Sequence, residues 1–178
     1  MKNLLFLLIP LFLLSCKDRS DDPEQPVTEL SKLPPATQTG ANKVGCLLDG
    51  KAFLPGNYNN ATNCFYQLVD GEYYFVMALD NKDSNYNLYG LTVGTQKKQI
   101  KQGESYDLFE HIEGNASAIY TFNTYNSETT HTHTGKLTIT KLDSVNQIVS
   151  GTFWYDILDH EGKVHQIRDG RFDFKYTN

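Results

Sequence analysis

From Val44 onward, apolar and polar residues alternate in short runs, and Gly, Asn and Asp interrupt those runs roughly every 8 to 12 residues. Tyr, Phe, Val, Ile and Thr dominate them, the residue types that fit a pleated, half-buried surface. No convincing helical stretch appears. The pattern predicts strands over 44–48, 51–54, 64–69, 72–79, 87–93, 116–125, 132–142, 147–158 and 163–176. Asp49-Gly50 and Asp70-Gly71 each join two of these runs, and Asp-Gly accepts the positive φ angles of a tight hairpin. If 159–162 is the loop between the last two strands, Gly151 faces Gly170 and Asp156 faces His165. Facing glycines signal a bend, a bulge or the close approach of another strand. Phe172, Phe174 and Tyr176 alternate with Asp173 and Lys175, one face for a core and one for water. About eight to ten antiparallel strands define an all-β fold, an antiparallel β-sandwich, with a closed or partly open lipocalin-like barrel as the alternative.

The N-terminus follows a different pattern. Lys2 precedes an uninterrupted apolar run from Leu4 to Leu14, and the small residue Ser15 precedes Cys16. A run this short falls below the ~20 residues of a membrane-spanning helix and matches a signal-peptide core. Leu13-Leu14-Ser15-Cys16 resembles the bacterial lipobox. That resemblance implies cleavage before Cys16, removal of residues 1–15 and lipidation of the Cys16 thiol. Acyl chains contribute ~0.8 kcal/mol per buried methylene, so several chains hold a protein at a membrane surface.

Removing residues 1–15 takes the chain from 178 residues to 163 and, with Lys2 lost, its net charge from −5 to −6. That length suits one domain. An acidic chain without a basic cluster is not built for nucleic acid, whose phosphates require Lys and Arg. Residues 17–43 contain no aromatic residue and four of the six prolines. The first part, with Lys17-Asp18-Arg19-Ser20-Asp21-Asp22, resembles the charged stretch that follows the lipidated cysteine in surface-exported lipoproteins of the Bacteroidota. It implies an outer-membrane anchor facing the cell exterior, with the periplasmic face as the alternative.

The stretch from Leu33 to Phe53, which opens Leu-Pro-Pro-Ala-Thr-Gln-Thr-Gly, together with Ser150-Gly-Thr-Phe153 and Asp169-Gly-Arg-Phe-Asp173, resembles small uncharacterised lipoproteins of the Bacteroidota that share a domain of unknown function. The resemblance implies a family and no activity. It also assigns residues 33–43 to the domain, packed along its edge with Pro34 and Pro35 preset for extended geometry. The expected layout is a signal peptide over 1–15, a lipidated cysteine and charged tether over 16–32, and a single β domain over 33–178.

Several side chains are candidates for chemistry. Cys46 and Cys64 form a candidate disulfide in an oxidising compartment, or else act as two buried thiols. His131 and His133 would share one face of a strand, a spacing that can chelate a metal once a third ligand joins. His111 with Glu110 and His165 with Asp156 are further titratable pairs. Tyr58, Tyr86 and Tyr125 sit beside Asn residues in expected loops, and Trp154 lies on a strand. Exposed aromatics of this kind stack on sugar rings while amides bond hydroxyls, so these four are candidate ligand contacts. Asp143-Ser144-Val145 resembles a short O-glycosylation motif and marks Ser144. No nucleophile elbow or activated cysteine is present. The reading is a membrane-anchored, non-enzymatic binding or interaction domain without a cofactor, with a glycan or an envelope protein as its partner. The alternatives are a carbohydrate-binding module, and a metal-dependent protein or hydrolase using His131 and His133.

Overall fold

The computed structural model describes residues 28–178; residues 1–27, Cys16 and the lipobox among them, lie outside the described residues. Eleven strands follow in order: β1 Lys43–Leu48, β2 Lys51–Phe53, β3 Thr62–Val69, β4 Glu72–Lys82, β5 Leu88–Thr95, β6 Ser105–Phe109, β7 Ala116–Phe122, β8 Tyr125–Glu128, β9 Gly135–Asp143, β10 Ile148–Leu158 and β11 Val164–Lys175. They pair into one sheet in the order β2-β1-β11-β10-β9-β6-β7-β5-β4-β3, with β8 added beside β7. Every ladder is antiparallel except that between β6 and β7. The sheet folds over on itself: Phe75 of β4 meets Phe172 of β11 with ring centroids 6.0 Å apart. Tyr120 of β7 lies 4.5 Å from the ring of His165 on β11. The fold is therefore all-β and sandwich-like, and the sheet does not close into a barrel. Its last strand, β3, meets the chain beyond β11 through a single isolated bridge between Phe65 and Thr177.

One core fills the space between the two halves. Phe75, Met77 and Leu79 alternate inward along β4, Leu91 and Val93 along β5, and Val149, Phe153, Tyr155 and Ile157 along β10. Tyr155 is fully buried, and its hydroxyl finds no hydrogen-bond partner among the described residues. An unpaired buried hydroxyl costs roughly 1–3 kcal/mol of desolvation. Tyr155→Phe should therefore hold or raise the melting temperature; a clear loss of stability in thermal unfolding would mean that the hydroxyl is bonded.

The ladder between β10 and β11 is displaced from the expected register. Asp159 N–H donates to the Lys163 carbonyl at 2.8 Å, so the hairpin loop has three residues, with Gly162 at φ +84°. Such loops place glycine in the left-handed region. Ile157, not Asp156, consequently faces His165. Further along, Arg168 and Asp169 together oppose Trp154, with Asp169 at φ +52°. This bulge advances the register once more, so Gly151 faces Phe172 and Gly170 faces Phe153. Each glycine makes room for the ring on the opposite strand, since a Cβ on Gly170 would sit 2.6 Å from the Phe153 ring.

Two further departures concern short elements. β6 was not expected, and the run over 116–125 divides into β7 and β8 at a turn where Asn123 takes φ +54°. The chain from Leu33 to Ala41 packs along the domain. Leu33 is buried, Pro34 fills the space left by Gly45, and four residues between Thr37 and Ala41 bond Asp173. Thr28–Lys32, expected as tether, is also structured: a 3-10 turn over Leu30–Lys32 lies against β2, where the Ala52 N–H donates to Glu29 Oε2 at 2.9 Å.

Candidate functional site

The folded sheet leaves a cleft at each end. At one end, Tyr66 of β3 and Tyr73 of β4 share the inward face with Cys64 and Phe75, but lie beyond the point where the core is filled. Their rings stack at 5.2 Å and 21°, and Tyr176 meets Tyr66 edge-on at 5.8 Å. These tyrosines line a cleft of about 720 Å³ whose polar contributors include Gln67, Gln99, Ser144 and Asn178. Burial pushes the Tyr66 phenol up to about 12, so it stays neutral; its hydroxyl donates to the Ile100 carbonyl and keeps its lone pairs to accept. A stacked aromatic surface beside amides and hydroxyls, with no charged side chain in its lining, fits a polyhydroxylated ring.

The other end is charged. Three hairpins converge there, around a cleft of about 470 Å³ walled by Phe53, Tyr89 and Tyr120. His165 is buried between two carboxylates: Nδ1 lies 2.8 Å from Asp49 Oδ2, and Nε2 lies 3.0 Å from Asp159 Oδ2. Lys163 Nζ also donates to Asp49 Oδ2, at 2.9 Å. Burial raises the Asp49 carboxyl, but the Gln166 N–H, Lys163 and His165 outweigh it and leave the group below the usual carboxylate range. Asp159 is lowered too, as its backbone donors and His165 overcome its burial. Both ring nitrogens of His165 are thus taken up by contacts to the two turns. The cluster fastens β1, β10 and β11 together.

The aromatic residues singled out from the sequence separate into two places. Tyr58, Tyr86 and Tyr125 all gather at the charged end. Lys82 Nζ lies 5.3 Å from the Tyr58 ring centroid, Tyr86 tops the turn capped by Asp83, and Tyr125 stacks on His160 of the β10–β11 loop at 3.9 Å. Trp154 stands apart on the outer face of β10, under the Arg168 guanidinium at 5.5 Å. Ser144 is exposed on a turn whose Val145 and Asn146 amides donate to Asp143, and it also borders the tyrosine cleft.

Three candidate pairings do not form among the described residues. Cys46 and Cys64 are free, buried thiols on β1 and β3, strands that are not neighbours in the sheet; burial pushes each thiol up to about 12. His131 and His133 do not share a strand face, because Thr130 N–H donates to the His133 carbonyl and closes a tight turn ahead of β9. His131 Nε2 lies 3.3 Å from Glu110 and His133 Nδ1 3.2 Å from Thr132 Oγ1, and no metal-binding group of three ligands forms among the described residues. Asp156 pairs with Arg168 instead of His165, a consequence of the register displacement.

Sequence reasoning missed Tyr66, Tyr73 and Tyr176 because their alternation reads as core. The one available signal is that tyrosine, with its polar tip, stands near the end of β3, at the start of β4 and just beyond β11. No protein-family model, curated protein or solved structure matches this chain.

Proposed function

We propose that this protein is a lipoprotein anchored through Cys16 in the outer membrane and facing the cell exterior, whose β domain binds a glycan without catalysis in the tyrosine-lined cleft. The observation that carries the reading is the stacked Tyr66–Tyr73 pair with Tyr176 edge-on, over a cleft bordered by amides and hydroxyls. The lipobox and the likeness to Bacteroidota lipoproteins support the anchor and the compartment. The end-of-sheet position supports binding, because Tyr66 and Tyr73 are only half-buried there, while Tyr176, a member of the core, backs them.

Calorimetric titration with a panel of neutral and acidic oligosaccharides tests the reading. Tyr73→Ala should weaken glycan binding about tenfold, or ~1.4 kcal/mol. Tyr86→Ala, at the far end, should leave the affinity unchanged. No binding across the panel, or equal loss in both variants, would contradict it.

A further inference from the structure

We infer that the charged end is the membrane-facing end, and that its tyrosine rim rests in the headgroup layer of the bilayer that holds Cys16; this rests on the anchoring proposed above. The path of the chain is the first reason. The described structure begins at Thr28, beside the turn that Glu29 fastens to β2, and β2 contributes Lys51, Ala52 and Phe53 to the cleft at this end. Eleven residues, 17–27, separate Cys16 from Thr28. Even fully extended they span no more than ~40 Å, close to the ~35 Å length of β4, which runs from Tyr73 at one end of the domain to Lys82 at the other. The charged end is thus the one held near the bilayer.

The composition of the rim is the second reason. Tyr86 is 84% exposed and Tyr125 53%, and Tyr58 also faces solvent. The exposed aliphatic pair Leu158 and Val164 flanks the β10–β11 loop between them. Tyrosine is amphipathic and favours the membrane–water interface. Lysines 51 and 82 reach the same cleft on long apolar stems that can snorkel toward phosphates. Among the acids here, Asp49 is engaged by Lys163 and His165, Asp159 by His165 and Glu29 by Lys32, while Asp83 is held by the amides of Asn85 and Asn87 and keeps its charge. Charged Asp83 and exposed Glu161 offset Lys51 and Lys82, so the rim meets the headgroups mainly through its rings and little through net charge. The tyrosine cleft then points outward, toward glycans.

The test uses the full processed protein in nanodiscs carrying lipids spin-labelled near the headgroup. Tyr86→Trp in a Trp154→Phe background places one fluorophore on the rim, and Leu68→Trp in the same background places one at the opposite end. The Tyr86→Trp emission should be quenched about twofold or more and should stay quenched at high salt, while the Leu68→Trp emission is untouched. Absent quenching at position 86, or stronger quenching at position 68, overturns the inference. Mass spectrometry of the same sample shows whether Cys16 carries lipid. Lipid without quenching refutes the docking alone, quenching without lipid refutes the anchor alone, and neither signal refutes both.

Discussion

Asp173→Ala should destabilise the protein by about 3–5 kcal/mol, the range expected when a buried charged partner is removed from a hydrogen-bonded set. The Asp173 carboxylate is 1% exposed and receives six hydrogen bonds from five residues. Thr37 Oγ1 at 2.7 Å, Gly40 N at 2.8 Å and Ser150 Oγ at 2.8 Å are the shortest. Four of the five donor residues lie in the edge segment, so the loss should first appear as rapid hydrogen exchange at Gly40 and Ala41. Asp173→Asn should cost less but still substantially, since the amide turns an N–H toward donors. Retention of wild-type stability in chemical unfolding of both variants would show that the segment is held by other contacts.

The same group predicts a pH dependence. Burial pushes the Asp173 carboxyl up, but the donors from Thr37, Thr39, Ser150 and Ala41 outweigh it and hold it well below the usual carboxylate range. The folded state therefore binds its proton less readily than the unfolded chain, and the contribution to stability is complete above an unfolded value of ~4. It is lost as pH falls below that toward the folded value. Asp173→Asn should accordingly flatten the acid limb of the stability curve.

Gly151→Ala should cost about 3 kcal/mol through overpacking. A Cβ at Gly151 would overlap the Thr138 carbonyl oxygen of β9 and lie 2.7 Å from the Phe172 ring. The ring could be trimmed, but the carbonyl belongs to the ladder and cannot withdraw without breaking it. Phe172→Leu added to Gly151→Ala should therefore fail to restore the urea midpoint; full restoration would show that the ring alone fills the space. Gly50→Ala is the contrast, because nothing lies within 4 Å of its added Cβ and only its φ of +79° opposes the change.

These two residues also show how three separate segments are tied together. Leu33–Gly40, Ser150-Gly151 and Asp169–Asp173 are distant in sequence, yet they converge on one carboxylate and one close strand crossing. Fold class was legible because alternation and Asp-Gly turns are local signals. Register was not: the three-residue loop ending at Gly162 and the bulge at Asp169 each shift it by one, and the positive φ of Asp169 falls on a residue type that gives no local sign of it. β6 escaped notice because Tyr106 and Leu108 are its only inward anchors. The titratable cluster was half visible, as His165 was singled out but its partners Asp49 and Asp159 lie in two separate turns. The tyrosine cleft stayed hidden because inward-facing rings look like core until the end of the sheet is located.

Glycan binding at the tyrosine end is the central proposal for this domain. Backbone and side-chain NMR of the processed protein in nanodiscs, titrated with envelope oligosaccharides, reads it directly. Signals of Tyr66, Tyr73, Gln99 and Tyr176 should shift while those of Tyr89 and Tyr120 stay fixed. Shifts confined to the charged end, or none at saturating glycan, would contradict the account.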